Sequence, residues 1–511
     1  MTSLVRGRTV FIKPNDRHRW EEIEDGAVLV EAGTIAAIGS FDALKAAHPD
    51  ARVLGTGRQI LMPGFVNAHH HIGLTPVQLG SPDMPLELWF VTRLVCRAVD
   101  LYLDTLYSAF EMISSGVTTV QHIHGWVPGD LAAVEAGAND VIRAYDDIGM
   151  RVSYSFALRD QNRLVYMDDQ AFVKLLPDDL QPRLNRHFDR FAMDLDDFAD
   201  LFDHLHVQHQ TKERVGIQLA PANLHWCSDA ALGRLADTSE RYNAPLHMHL
   251  VETAFQKEYA RRRGGGTALE YIDRFGLVGP NLTLGHGVWL NQSDIECVAE
   301  KGAHICHNCS SNFRLRSGVG PLNEWERHGV NTAMGMDEAG INDDRDMLQE
   351  FRMVLNAHRT PGLEDTVPTP AQVLRMGTAG GAKTTAFRGR IGTLEVGQGA
   401  DMVLIDWDKL AYPYLDPDYP VLDAVLQRAK TDAVDMTMCA GEVIYEAGRF
   451  TRVDRADALE KLRRDLTRAL TDEEVERRGL SKDLLPHVRK FYDSYFDPAE
   501  HQPFYRQSSK I

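Results

Sequence analysis

Cysteine and long apolar runs are scarce in this chain of 511 residues, and its basic residues are fewer than its acidic ones. Its six cysteines are too few and too scattered for the disulfide framework of a secreted protein, so we expect a reducing, cytoplasmic location. No apolar stretch approaches the ~20 residues of a membrane span, and residues 1–8 lack the apolar core of a signal peptide. Acidic residues outnumber basic ones by 73 to 55, and the net charge of −18 disfavours nucleic acids as partners.

Short apolar segments alternate with helical stretches through most of the chain. The strand-like segments are 64–67, 117–121, 152–156, 215–219, 246–250, 282–286, 304–307 and 332–337. Eight strand–helix units predict an α/β fold, the (β/α)8 or TIM barrel. β-rich segments near both chain ends predict a small β-sandwich domain built from the two ends together. The expected divisions are 1–60 and 391–453 for the sandwich, 61–390 for the barrel and 454–511 for a helical extension.

Polar side chains at the strand ends predict a metal site. An apolar run ends in His69 and His71, whose spacing places both imidazoles on one face of a strand. His249 closes a later strand; His247 shares its face, but His249 lies nearer the carboxyl end, where barrel active sites are built. Asp337 follows the eighth strand. Three imidazoles and one carboxylate suit one divalent ion, zinc first and iron as the alternative.

Two further residues complete a catalytic set. Glu252 lies three residues after His249, and His286 stands between two glycines at a strand end. A bound metal ion would lower the pKa of its water to about 7. Asp337 would move the water's proton, and Glu252 would protonate a ring nitrogen. His286 would orient the hydroxide or stabilise charge on the tetrahedral centre. Together these groups predict attack of metal-bound hydroxide on an sp2 ring carbon, with hydrolysis of a C–N bond.

The motifs in this order resemble the amidohydrolase superfamily, in particular its cytosine deaminase and atrazine chlorohydrolase-like (aminohydrolase) subgroup. They are P-G-F-V-N-A-H-H-H at 63–71, H-L-V-E-T at 249–253, G-H-G at 285–287, S-S-N-F-R-L-R-S-G at 310–318 and G-M-D at 335–337. The resemblance covers roughly residues 1–450. It implies that His69, His71, His249 and Asp337 bind one metal ion, and that Glu252 and His286 are catalytic. His70, between the two ligands, should point away from the metal.

The same resemblance suggests substrate contacts. The segment 85–89, with Glu87 and Trp89, resembles the one that lines the pocket of purine nucleoside deaminases. His225 lies in the loop after the fourth strand, which lacks the Pro-His-x-Pro often found in relatives. The loop of Ser311 and Asn312 lies at the pocket mouth in relatives. The expected partner is a small heterocyclic molecule, in an enzyme that is a homodimer or homotetramer.

Several alternatives stay open. The same scaffold could remove another leaving group, as a triazine chlorohydrolase or an N-alkylamine hydrolase, or could belong to a non-catalytic assembly protein. A second H-x-H pair, His122 and His124, is read as pocket lining or as structural. Cys306 and Cys309 form a C-x-x-C with no second pair nearby, which argues against a zinc or redox site. The long segment 157–214 is a lid or a subunit contact.

Overall fold

The computed structural model describes residues 2–360, 363, 368–495 and 497. The strands, numbered in chain order, are Ser3–Pro14 (β1), Trp20–Glu31 (β2), Thr34–Ser40 (β3), Arg52–Leu54 (β4), Gln59–Pro63 (β5), Phe65–His70 (β6), Val117–His124 (β7), Arg151–Leu158 (β8), Val215–Ile217 (β9), Ala220–Pro221 (β10), Leu246–Leu250 (β11), Leu282–His286 (β12), His304–His307 (β13), Asn331–Met334 (β14), Met402–Asp406 (β15), Val434–Cys439 (β16), Glu442–Glu446 (β17) and Arg449–Phe450 (β18).

The α-helices lie mainly between these strands. They are Phe41–Ala47 (α1), Leu86–Thr92 (α2), Leu101–Ser114 (α3), Leu131–Ile148 (α4), Asp169–Val173 (α5), Gln181–Phe188 (α6), Leu195–His209 (α7), Asp229–Tyr242 (α8), Ala254–Gly264 (α9), Ala268–Asp273 (α10), Gln292–Lys301 (α11), Cys309–Arg314 (α12), Leu322–Arg327 (α13), Met347–Ala357 (α14), Pro370–Arg375 (α15), Trp407–Ala411 (α16), Val421–Arg428 (α17), Arg455–Leu466 (α18) and Asp472–Tyr492 (α19). Short turns of 3-10 helix follow α2 at Arg93–Val95 and β10 at Leu224–Trp226.

Both ends of the chain contribute to one nine-stranded sheet. Its order is β18-β17-β16-β15-β5-β1-β2-β3, with β4 also paired to β1. The junction is the antiparallel pair of β15 with β5, which joins Met402 to Pro63 and Asp406 to Gln59. Apolar side chains from both ends, among them Val10, Leu61 and Met436, pack into one buried cluster. The hydrogen bonds define a single continuous sheet and do not by themselves divide it into two layers.

The parallel strands position the polar residues of interest. β6, β7 and β8 pair in order, with β9 and β10 both beside β8, and β11 to β14 form a second parallel sheet. Isolated parallel bridges join the two sheets, Leu219 to Leu246 on one side and His70 to Asp337 on the other. Each of the eight strand-like segments expected from the sequence contains a strand, and the carboxyl ends lie at one common edge.

The C-terminal helices cover the side of the molecule next to α2. α18 packs on α3, and α19 packs on α2, on the turn 93–95 and on α6. The expected capping box is present, because Thr471 accepts from the Glu474 backbone while Glu474 accepts from that of Thr471. The rest of the expected extension, 496 and 498–511, lies outside the described residues. Among the helices that the structure describes, none combines the length and apolar character needed to cross a membrane.

Candidate metal centre and active site

The structure brings together the metal ligands expected from the sequence. His69 lies on β6, His71 follows it directly, and His249 lies on β11. The Nε2 atom of His71 is 3.0 Å from that of His69 and 3.1 Å from that of His249. The Oδ1 atom of Asp337, which follows β14, is 3.2 Å from His71 Nε2 and 3.6 Å from His69 Nε2. Four donor atoms from three strand ends therefore converge on one point.

Hydrogen bonds behind the cluster orient the rings toward that point. Nδ1 of His71 donates to the Ile123 carbonyl at 2.7 Å, and Nδ1 of His249 donates to the Ala222 carbonyl at 2.8 Å. Because carbonyl oxygens only accept, these partners assign the ring protons to Nδ1 and leave a lone pair on each Nε2. Two lone pairs 3.1 Å apart need a positive charge between them. The donor set of imidazole nitrogen and carboxylate oxygen therefore fits a divalent metal ion such as zinc.

The structure also distinguishes His247 from His249. Nε2 of His247 lies 2.7 Å from Nδ1 of His69, on the far side of that ring from the cluster. His247 therefore supports a ligand from behind, the usual position of an outer partner of a metal-bound histidine. His70 turns away as expected, since its ring meets Ser108 Oγ and the Asp337 carbonyl.

Asp337 occupies a strained position between the cluster and the pocket. Its φ of +54° lies in the left-handed region that non-glycine residues rarely adopt. Ser311 Oγ donates to its Oδ2 at 2.6 Å, and His286 Nε2 is 3.6 Å from the same oxygen. Burial alone would raise the pKa of this carboxyl, but the adjacent His69 and His71 rings outweigh it and hold the pKa well below its usual range. Asp337 is therefore held as a carboxylate.

His286 and Glu252 lie beside one another next to the cluster. His286 Nδ1 donates to Asn312 Oδ1 at 2.8 Å, so its Nε2 presents a lone pair, to which Asn308 donates at 3.3 Å. Glu252 Oε2 lies 3.6 Å from His286 Nε2, and Ser317 donates to Glu252 Oε1 at 2.9 Å. Glu252 is buried, and burial raises its pKa. A protonated Glu252 can therefore exist nearer neutral pH than an exposed glutamate allows.

Aromatic side chains form the walls of the pocket above these groups. The apolar lining residues are Ile72, Leu86, Trp89, Phe90, Ile123, Trp126, Trp226 and Leu315. The Arg159 guanidinium lies over the rings of Trp126 and Trp226, 3.7 and 4.1 Å from their centroids, at the corner that the two perpendicular rings form. Flat aromatic surfaces favour a flat ligand, since stacked rings gain dispersion and quadrupole energy.

The four expected substrate contacts lie in different surroundings. Trp89 lines the pocket. Glu87 is buried, and its Oε1 accepts hydrogen bonds from Tyr166 and Thr253. His225 packs between the rings of Tyr166 and Trp226, at 4.1 and 4.3 Å. Asn312 accepts from His286 and so orients that ring.

Three charged residues of the pocket were absent from the sequence-based expectation: Arg93, Arg159 and Glu338. The position of Glu338, directly after Asp337, was the one available signal for it. Arg93 pairs with Glu338 across 245 positions of sequence, with Nη1 to Oε2 at 3.0 Å. A contact between such distant segments exists only once the chain has folded.

The remaining histidine and cysteine motifs lie outside the pocket lining. His122 and His124 are buried and meet the hydroxyls of Tyr145 and Tyr154. His307 Nε2 lies 2.7 Å from His358 Nε2, with Cys309 in the same buried group. Cys306 Sγ instead meets Asn308 Oδ1, so the C-x-x-C residues do not converge.

Known proteins are similar to this chain in sequence and in fold. The model described as "Amidohydrolase family" matches residues 60–444, and an "Imidazolonepropionase-like composite domain, bacteria" matches 26–51. A 5-methylthioadenosine/S-adenosylhomocysteine deaminase of Syntrophobacter fumaroxidans is 28% identical over 90% of this chain and 96% of its own length. A 5'-deoxyadenosine deaminase of Methanosarcina mazei is 27% identical over 86% of this chain and 92% of its own.

Several solved structures have a fold similar to that of this protein over most of the chain. A zinc-bound adenosine deaminase from Xanthomonas campestris has a TM-score of 0.76 at 25% identity, covering 90% of this chain and 97% of its own. A zinc complex of atrazine chlorohydrolase from Arthrobacter aurescens scores 0.78 at 20% identity, with 90% and 99% covered. Guanine deaminase from C. acetobutylicum, with bound guanine, scores 0.69 at 18%, with 87% and 100% covered. Since the family match spans well over half of its 511 residues, the chain belongs to the amidohydrolase family.

Proposed function

We propose that the protein is a metal-dependent hydrolytic deaminase of a small nitrogen heterocycle. The observation that carries this proposal is the convergence of three imidazole nitrogens and Asp337 beside Glu252 and His286, at the base of an aromatic-walled pocket. The deaminases among its relatives, named for adenosine-type substrates, support the same reaction.

His69, His71, His249 and Asp337 are the residues proposed to hold one divalent ion. Zinc is preferred over iron, because solved relatives with the same fold contain zinc. When bound, such an ion supplies a Lewis acid that makes a water molecule nucleophilic near neutral pH. The lone pairs that His71 and His249 direct at each other across 3.1 Å support this assignment.

The other steps belong to the side chains of this chain. Asp337, held as a carboxylate, accepts the proton of the attacking water and returns it to the departing amine. Glu252, whose pKa burial raises, donates a proton to the ring nitrogen beside the reacting carbon and recovers one from the hydroxyl of the tetrahedral centre as the amine departs. His286, oriented by Asn312, lies within 3.6 Å of both carboxyl groups, and its Nε2 lone pair orients the attacking water by accepting a hydrogen bond from it. Trp89 and Trp226 line the pocket in which the ring would lie.

Product analysis tests the proposal. The purified, zinc-loaded protein is incubated with amino-substituted purines, pyrimidines, pterins and triazines, and ammonia is measured beside chloride from chlorotriazines. The Asp337→Asn variant serves as the inactive control. Ammonia release that this variant loses is the expected result. Chloride release without ammonia would assign the other leaving group, and a protein that takes up no zinc and turns over none of these compounds would favour the non-catalytic alternative.

The finer architecture is part of the proposal. The two parallel sheets and the bridges that join them support a single closed (β/α)8 barrel over 61–390. The apolar cluster shared by both ends of the chain supports a sandwich-like domain from 1–60 and 391–453. All six cysteines are free thiols, which is compatible with the reducing cytoplasm proposed for the protein. A homodimer or homotetramer stays a prediction, which light scattering of the purified protein tests.

A further inference from the structure

We propose that Arg93 and Glu338 together recognise a lactam edge, an N–H beside a C=O, on the ring that is deaminated. The inference rests on the proposed deamination and names its substrate class: rings such as guanine and pterin, in which a lactam adjoins the carbon that bears the amine.

The pair is built into the pocket. Both residues line the same cavity as His71, Glu252 and Asp337. Arg93 Nη1 donates to Glu338 Oε2 at 3.0 Å, and the two side chains are only 17% and 16% exposed. Among the described residues, neither side chain makes another hydrogen bond. Further N–H groups of Arg93 and the second oxygen of Glu338 are therefore available to a ligand.

Neighbouring contacts hold the pair in position. Glu338 follows Asp337 directly in the chain, and consecutive Cα atoms lie about 3.8 Å apart. The Glu338 backbone is therefore adjacent to the proposed reacting centre. The Arg345 guanidinium donates to the Glu338 carbonyl at 2.8 Å and fixes that segment of backbone. The Arg93 guanidinium lies 4.8 Å from the centroid of Trp89, a wall of the pocket. Arg477 on α19 donates to the Cys96 carbonyl at 2.8 Å and holds the turn that carries Arg93.

The pair and a lactam have complementary hydrogen-bonding patterns. A carboxylate only accepts and a guanidinium only donates, so Glu338 takes the ring N–H while Arg93 donates to the ring carbonyl. A ring without the lactam leaves both partly desolvated groups without these bonds, which costs binding. The pair is neutral as a whole, so it selects a polar neutral edge rather than an anion. A plain ion pair at the pocket rim would show no such selectivity.

Matched substrates isolate the lactam. Guanine and 2-aminopurine carry the same amine, but only guanine has the lactam, and pterin and 2-aminopteridine form a second such pair. We expect kcat/KM to be higher for the lactam member of each pair by about 100-fold or more, because a site built for a hydrogen bond rejects analogues that lack it. Glu338→Gln and Arg93→Gln should each lower kcat/KM for guanine about 10- to 100-fold. Both substitutions should change kcat/KM for 2-aminopurine by less than about threefold.

A distant ion pair provides the control. Glu442, on β17 of the nine-stranded sheet, pairs with Arg214 at 2.7 Å. Glu442→Gln should leave the ratio of kcat/KM for guanine to that for 2-aminopurine unchanged. Zinc content and melting temperature of each variant report on folding. Equal losses on both members of a pair, or turnover confined to amines without a lactam, such as 5'-deoxyadenosine, would overturn the inference while the proposed function stands. Absence of ammonia from every amine tested would instead overturn the proposed function.

Discussion

Replacing Glu87 with glutamine is expected to stabilise the protein at pH 8 and to have little effect near pH 5. Glu87 on α2 is 3% exposed, and its Oε1 accepts hydrogen bonds from the hydroxyls of Tyr166 and Thr253. Burial raises the pKa of this carboxyl from its ordinary 4.5 to about 7. A glutamine carbonyl can accept the same two bonds and carries no charge at any pH.

The magnitude follows from linkage. Between pH 4.5 and 7 the unfolded chain releases the Glu87 proton while the folded protein keeps it. The folded state therefore binds more protons, and the stability due to Glu87 falls as pH rises through this window. Each unit of pKa difference is worth about 1.4 kcal/mol, so the loss approaches about 3 kcal/mol by pH 8. The glutamine variant has no such loss.

Urea unfolding of the zinc-loaded proteins, followed by tryptophan fluorescence at pH 5 and pH 8, measures the difference. The control is Glu446→Gln, because Glu446 is exposed on β17 and should behave as wild type. An equal stability difference at both pH values would refute the reasoning. A raised KM with no pH-dependent change in stability would instead assign Glu87 to the substrate, as the resemblance of segment 85–89 implies.

The other predictions concern the metal centre. Chelation should abolish activity, and zinc should restore it; full activity in protein shown by elemental analysis to be metal-free would contradict the ligand set. Glu252→Gln keeps the size of the side chain but cannot supply a proton, so it should retain metal and lose ~10²-fold or more in kcat. Asp337→Asn should nearly abolish kcat. The Asp343 carboxylate contacts Thr75 and Arg314 instead, so Asp343→Asn should lower kcat much less. The reverse order in a kinetic comparison would mean that the metal site is misplaced.

Strand periodicity made much of the proposed metal site predictable. His69 and His71 lie two residues apart, and a strand places alternate side chains on one face. The carboxyl ends of parallel barrel strands meet at one edge, so residues at the ends of distant strands were expected to converge. The geometry has this arrangement, with nitrogen atoms 3.0–3.1 Å apart. For these residues, the residue types at the strand ends and the order of the strands were sufficient to predict that the side chains meet.

His247 and His249 mark the limit of that reasoning. Both lie on the same face of β11, so periodicity could only rank them by their distance from the strand end. The tertiary structure separates them, because His249 points into the cluster and His247 reaches Nδ1 of His69 behind it. Glu87 was expected at the substrate because of its segment, yet its surroundings are Tyr166 and Thr253, which come from distant parts of the chain.

The sequence by itself therefore determined the family, the strand–helix order and the residues at the strand ends, because these depend on local periodicity and on motifs. Only the tertiary structure decided which side chains line the pocket. Arg93 and Glu338 meet across 245 positions of sequence. The Arg159 guanidinium lies over Trp126 and Trp226, which belong to separate segments of the chain. Such contacts depend on how loops pack over the carboxyl ends of the parallel strands, which varies with distant side chains and has no local period in the sequence.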